Sequence, residues 1–304
     1  MRIRVLDLDG SLCDQPPIAR RLAAGNVELH DLRPQGPALR LWSLGHHFAA
    51  FDRFWCSLPR DPQPVLTLVG SGDFHHLTAS FIAAADGPLT VLHFDNHPDW
   101  CWTMPRRHCG SWTHAVLAMN HVVRLITIGP CSEDLVRPDR KGADMDALST
   151  GRLELYPWWH APSTVERSGI ADGPGHRVAD GALHWRNLAG DDWREFLDEL
   201  VQNITTEKVW ITIDKDVLSP AYAVTNWDQG GLPLDNLVEA VLRIAARFRI
   251  VGADICGEYA PIRHRNPLKY LEARLDQPRA PDLPDLAVNA RTNERLIAAF
   301  EEAL

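Results

Sequence analysis

The sequence predicts an α/β fold: a three-layer α/β/α sandwich built around a mostly parallel sheet. Three observations carry this. Short apolar runs rich in β-branched residues recur at 3–8, 65–69, 89–94, 122–128, 209–213 and 250–255. Helical patterns separate many of them, and strands alternating with helices build parallel sheets covered on both faces. Runs such as "VLTLV" and "VWITI" are apolar throughout, as strands buried on both faces must be.

Taken in order, the strand at 3–8 runs into Asp9-Gly10, a common turn pair. Apolar residues spaced three or four apart predict helices over 39–55, 77–85, 111–119, 193–204 and 234–248, each beside a strand. Residues 291–304 read as a closing helix. Residues 137–191 carry Gly, Pro, Asp and Ser with little periodicity, and read as a long insertion of loops with a hairpin that shapes a site. Residues 261–284, rich in Pro and Arg, read as a second loop. No internal repeat or second domain is evident, so 1–304 reads as a single domain.

Composition narrows the function. With 304 residues, 45% of them hydrophobic, the chain is large enough for one big domain with a full core. A net charge of −9 argues against nucleic acid and suits a cationic substrate. The apolar run after Met1 is too short for a signal peptide, and no run is long enough to span a membrane. The six cysteines are scattered without a CxxC pair, so free thiols in a reducing cytoplasm are expected. A homo-oligomer is compatible with the sequence.

In open parallel sheets, ligands bind at the carboxyl ends of the strands. After 65–69 comes "GSGDFHH", with Asp73, His75 and His76. After 89–94 come Asp95, His97 and Asp99. After 209–213 come Asp214 and Asp216, and after 250–255 comes Glu258. Side chains at i, i+2 and i+4 of extended backbone point the same way, so each set can face one point. A lone DxD is most often a turn or cap, but four strand ends meeting in carboxylates and imidazoles is a conjunction. Asp95, Asp99, Asp214 and Asp216 supply four negative charges, enough to balance two divalent cations. His97 and one of His75 or His76 allow one nitrogen ligand per ion. An oxygen-rich set with few imidazoles suits two Mn²⁺ per chain better than Zn²⁺, and such a pair of ions acidifies a shared water.

The motifs "GSGDFHH", "FDNHPD", "IDKDVLSP" and "DICGEYAP" together resemble the arginase/ureohydrolase family in order and approximate spacing, over about residues 70–261. The resemblance implies an arginase-like α/β fold, a binuclear manganese cluster and hydrolysis of a guanidino group to an amine plus urea. By motif, His75, Asp95, Asp99 and Asp214 would bind one ion. His97, Asp95, Asp214 and Asp216 would bind the other, with Asp95 and Asp214 bridging. Glu258 matches the glutamate that pairs with the substrate guanidinium, and His108 falls near the proton-shuttling histidine. Asp99 would hold the proton of the attacking water.

The departures are informative. "GDFHH" replaces the usual Gly-Gly-Asp-His, so His75 and His76 both stand as candidates. Ser219 stands where the usual motif has another Asp. The residues that bind the α-carboxylate of free arginine do not appear between Asp99 and His108. The "HFDxHPD" form is similar to the peptide-arginase branch, which implies an arginine-containing peptide as the preferred partner over a small guanidino molecule. Trp100, beside the ligand motif, is placed to stack on a guanidinium or a peptide. Arg106 and Arg107 read as a solvated surface pair.

Two other readings compete. "VLDLDGSL" resembles the haloacid-dehalogenase phosphatase motif, with Asp7 as nucleophile and Asp9 as acid, but it leaves Asp95, His97 and Asp99 unexplained. A zinc-dependent deacetylase or amide hydrolase of the same wider fold needs one ion and an Asp-His-Asp set, fewer ligands than this chain offers.

Overall fold

The computed structural model describes residues 1–59, 62–105, 107–278 and 284–304. Among these described residues eleven strands form: β1 Arg2–Asp7, β2 Val27–Asp31, β3 Val65–Leu68, β4 Leu89–Phe94, β5 Val122–Ile128, β6 Leu153–Tyr156, β7 Ser163–Thr164, β8 His176–Ala179, β9 Ala182–Trp185, β10 Lys208–Asp214 and β11 Arg249–Cys256. Eight of them pair in parallel in the order β2-β1-β3-β11-β10-β4-β5-β6. The short antiparallel sheet β7-β9-β8 stands apart.

The period of two in each strand sorts the core into two layers. Leu92 and Phe94 of β4 pack with Phe196, Leu237, Val241 and Phe300 from the helices Trp193–Asn203, Leu234–Ala245 and Ala287–Ala303. Leu89 and Val91, at the odd-numbered positions of the same strand, pack on the other face with Phe51, Phe81 and Val116 from Gly45–Ser57, Thr78–Ala83 and Thr113–Leu117. The result is the three-layer α/β/α architecture that the sequence predicts.

Two differences from the sequence reading bear on the site. The helix expected over 39–55 is broken into Gly36–Leu39 and Gly45–Ser57. Between them Leu41 takes a left-handed conformation (φ 63°), and Trp42 bridges antiparallel to His108. Lys269 closes this corner, donating to the Pro37, Ala38 and Arg40 carbonyls. The loop expected over 261–284 contains a helix, Pro267–Asp276. Asn266 caps it by accepting from the Leu268 and Lys269 amides, and Pro267 sits in its first turn, where a missing N–H costs nothing.

Residues 137–191 hold two short helices, the edge strand β6 and the β8–β9 hairpin, whose turn uses left-handed Asp180 and Gly181. Among the described residues, no helix is long and apolar enough to cross a membrane, and the six cysteines are free.

Candidate metal centre

Strands β3, β11, β10 and β4 are neighbours at the middle of the sheet. The chain leaves β3 into a 3₁₀ turn, Gly72–Leu77, that carries His75. Only glycine fits at 72, because a Cβ there would stand 2.5 Å from Asp214 Oδ2. Asp95 follows β4 directly, and Asp214 ends β10 and caps the turn that holds Asp216.

These residues converge. His75 Nδ1 lies 3.0 Å from Asp95 Oδ2, 3.1 Å from Asp99 Oδ2 and 3.7 Å from Asp214 Oδ2. His97 Nδ1 lies 3.1 Å from Asp216 Oδ2 and 3.5 Å from Asp95 Oδ1. Asp95 thus faces His75 with one oxygen and His97 with the other. Asp99 sits at φ 48°, and its Oδ2 accepts from Trp112 Nε1 at 2.5 Å. His75 is the histidine that faces the carboxylates. His76 turns the other way, to the Ser43 hydroxyl and the face of Phe48, and burial holds its pKa well down.

The hydrogen bonds around His75 show what the cluster lacks. Thr212 Oγ1 donates to Asp254 Oδ1 at 2.8 Å, so it accepts from His75 Nε2–H at 2.9 Å. That puts one ring proton on Nε2 and leaves Nδ1 buried, without a hydrogen-bond partner and aimed at three carboxylate oxygens. Such an arrangement repels itself unless a cation sits in the middle. The carboxylates carry the same strain. Burial and the neighbouring Asp95 push Asp99 up to about 6 and also raise Asp214, while burial, Asp214 and Asp95 push Asp216 well up. Divalent cations fit this donor set, with aspartate oxygens in the majority and imidazoles in the minority. The Cys256 thiol, 3.1 Å from Asp214 Oδ2, is pushed up by burial and serves as a donor to that carboxylate.

Two further residues join the cluster. His93 Nε2 lies 2.9 Å from Asp95 Oδ2, and its Nδ1 lies 3.1 Å from Thr127 Oγ1. Stepping the Asp95-His97-Asp99 alternation back by two would have found it. Asp228 Oδ1 lies 2.9 Å from His97 Nε2. It comes from a loop between β10 and β11, and no sequence pattern singled it out.

The cluster floors a cavity of about 850 Å³, whose walls include Trp102, His108, Trp227, Asp228, Glu272 and Asp276. His108 Nδ1 accepts from the Gly110 amide at 2.9 Å, so the ring proton sits on Nε2, 2.7 Å from Glu272 Oε1. Glu272 Oε2 accepts from Trp42 Nε1 at 2.6 Å. The broken first helix and the helix missed at Pro267–Asp276 therefore meet at this wall.

Residues 179–271 match the Arginase family, described by that name. The whole chain superposes on arginase from Bacillus subtilis with a TM-score of 0.61 and 12% identity, covering 98% of this chain and 97% of that one. The chain thus carries an arginase-family segment within an arginase-like fold. The same arginase-like fold is shared with proclavaminate amidino hydrolase from Streptomyces clavuligerus (TM-score 0.59, 15% identity, 100% and 92% of the two chains). It is also shared with formimidoylglutamase from Bacillus subtilis (0.57, 17%, 100% and 87%). An uncharacterized protein of Thermotoga maritima is 27% identical over 65% of this chain, and the match spans 59% of that relative's length.

Within this arginase-like fold, three sequence assignments change. Glu258 does not line the cavity. Its Oε1 accepts from Lys215 Nζ and from Asn293 Nδ2, and its Oε2 accepts from Asn289 Nδ2 at 2.8 Å. Left-handed Gly257 (φ 88°) turns the chain just before it, so the alternation of β11 does not carry on to Glu258. Trp100 is 1% exposed and packs in the core, while Trp102, 62% exposed, and Trp227 are tryptophans on the cavity wall. Asp7 and Asp9 hold the turn after β1: Asp7 Oδ1 accepts from the Gly10 amide, and Asp9 from the Ser11 and Ser71 amides. An arginase-like sheet order and a turn role for both acids remove the phosphatase reading. Arg106 lies outside the described residues.

Proposed function

We propose that this chain is a manganese-dependent ureohydrolase that converts arginine within a peptide to ornithine and urea. The observation that carries the reading is His75 Nδ1 held among Asp95, Asp99 and Asp214, matched by His97 Nδ1 between Asp216 and Asp95. His75, Asp95, Asp99 and Asp214 would hold one ion, and His97, Asp95, Asp214 and Asp216 the other. Two divalent ions there would supply Lewis-acid charge and acidify a water.

The walls support a cationic substrate. Asp228, Glu272 and Asp276 face the cavity, while the cations on its rim are already matched, Lys141 by Asp134 at 3.1 Å and Arg140 by Glu166 at 2.5 Å. Among the described residues, the lining thus offers no unpaired cation to a free α-carboxylate. An arginine flanked by peptide bonds needs none. The cavity volume, at the upper end of small-molecule sites, leaves space for neighbouring residues, and Trp102 offers them an aromatic face.

In the reaction, water adds to the guanidinium carbon, the C–N bond to the side chain breaks, and the departing amine takes a proton. In this reading Asp99 would hold the water's proton. His108 holds its own at Nε2, against Glu272. His108→Asn is expected to cut turnover about 100-fold or more while manganese content stays normal; loss of metal instead would make His108 structural. The substrate test is incubation with Mn²⁺ and arginine, agmatine, guanidinobutyrate or arginine-containing peptides, read by mass. A peptide should lose about 42 Da per arginine, the change for guanidine to amine. Efficient turnover of free arginine with every peptide untouched would end the peptide preference. One zinc per chain and no loss of urea would return the deacetylase reading.

A further inference from the structure

Asp228 is half-exposed on the cavity wall, yet it is held on every side. Asn96 accepts from the Cys131 amide through its Oδ1 at 3.1 Å, which fixes its amide orientation. Asn96 Nδ2 then donates to Asp228 Oδ2 at 3.0 Å and to the Asp228 carbonyl at 2.9 Å. The surrounding loop is bolted down as well: Gly230 N donates to the Asp216 carbonyl, and Trp227 Nε1 donates to Asp73 Oδ1. What remains of the Asp228 carboxylate is Oδ1, which points at His97 Nε2 from 2.9 Å.

A carboxylate only accepts, so His97 must carry its proton on Nε2. In the neutral, ligating ring the lone pair is then left on Nδ1, the atom that faces Asp216 and Asp95. His75 is set the same way from behind, by Thr212 and Asp254. The two histidines differ in where the partner comes from. That of His75 lies in the sheet, whereas that of His97 is a side chain on the wall of the substrate cavity. We propose that Asp228 is a positioning residue that sets the tautomer and ring orientation of His97, and so governs binding of one of the two metal ions.

The inference rests on the reading that the cluster binds two cations, and the test separates the two. Mn²⁺ binding is measured by titration against a chromogenic chelator, with no substrate present. Wild type should bind two ions. Asp228→Ala should bind one as tightly as wild type and the other about 10–100-fold more weakly, the usual cost of losing such an outer partner. His97→Ala should weaken that same ion. Asp228→Asn keeps one acceptor for two donors, His97 Nε2–H and Asn96 Nδ2–H, and should fall between. Asp134→Asn removes a charge from the same cavity without touching His97, and should leave both affinities within about twofold. Two ions held equally tightly in Asp228→Ala would overturn the inference, as would equal weakening in Asp134→Asn, which would mean bulk charge alone. Failure of wild type to bind two ions would overturn the cluster reading itself.

Discussion

Glu258→Gln is expected to destabilise the protein by about 3–5 kcal/mol, the cost of leaving one member of a buried ion pair without its counter-charge. Lys215 is fully buried and the Glu258 side chain is 3% exposed. Solvent therefore cannot take over the role of the missing charge. Nor does the amide replace the carboxylate as an acceptor. Lys215, Asn289 and Asn293 all donate to Glu258, and a glutamine would turn its NH₂ toward at least one donor. Chemical denaturation should show a large fall in midpoint. Adding Lys215→Met should recover part of the loss, because the orphaned ammonium is then gone. A shift worth less than about 1 kcal/mol, together with a selective loss of turnover, would instead return Glu258 to the substrate role that its motif implies.

The second large effect concerns metal. Asp95→Ala and Asp214→Ala should each abolish tight Mn²⁺ binding and lower turnover by more than about 100-fold. Each removes an oxygen donor from beside His75, and Asp95 also faces His97. Stripping metal from wild type should lower the melting temperature at neutral pH, since binding to the folded state adds to folding free energy. The pH dependence has a definite sign. In the metal-free fold, burial and Asp95 raise Asp99 from its ordinary 3.8 to about 6. The folded chain then keeps a proton that the unfolded chain has lost, so stability falls as pH rises through that window. Mn²⁺ should therefore raise the melting temperature strongly at pH 7 and little at pH 4. Equal melting curves with and without metal at pH 7 would count against the cluster.

The central strands were legible because burial on both faces leaves them apolar throughout, as in "VLTLV" and "VWITI". The edge strands were not. β2 reads "VELHD" and is half-exposed, so it lacks that signature, and β6 is only four residues of "LELY". The helix Pro267–Asp276 was hidden by its Pro and Arg content, although Asn266-Pro267 is a start signal. In the site, Asp95, His97, Asp99, Asp214 and Asp216 could be read from strand-end alternation. Glu258 was misplaced because a motif records residue type, whereas Gly257 decides which way the next side chain points. Asp228 and Glu272 reach the cavity only through tertiary packing, which no local pattern encodes.

The strand order also dictates an order of assembly. The first six strands make two leaves, β2-β1-β3 and β4-β5-β6, each closed within the first 156 residues. The leaves do not touch through backbone pairing; β11 and β10 are inserted between them, more than 100 residues after β4 in sequence. Until the last third of the chain arrives, β3 and β4 must wait with open hydrogen-bonding edges, a state prone to mispairing and aggregation. Closing such distant contacts is also slow. Since Asp214 and Asp216 ride on the inserted strand, a nascent chain can hold no complete cluster before the seam is zipped. A metal bound by this cluster would therefore act as a late lock on a nearly finished sheet rather than as a nucleus around which it forms.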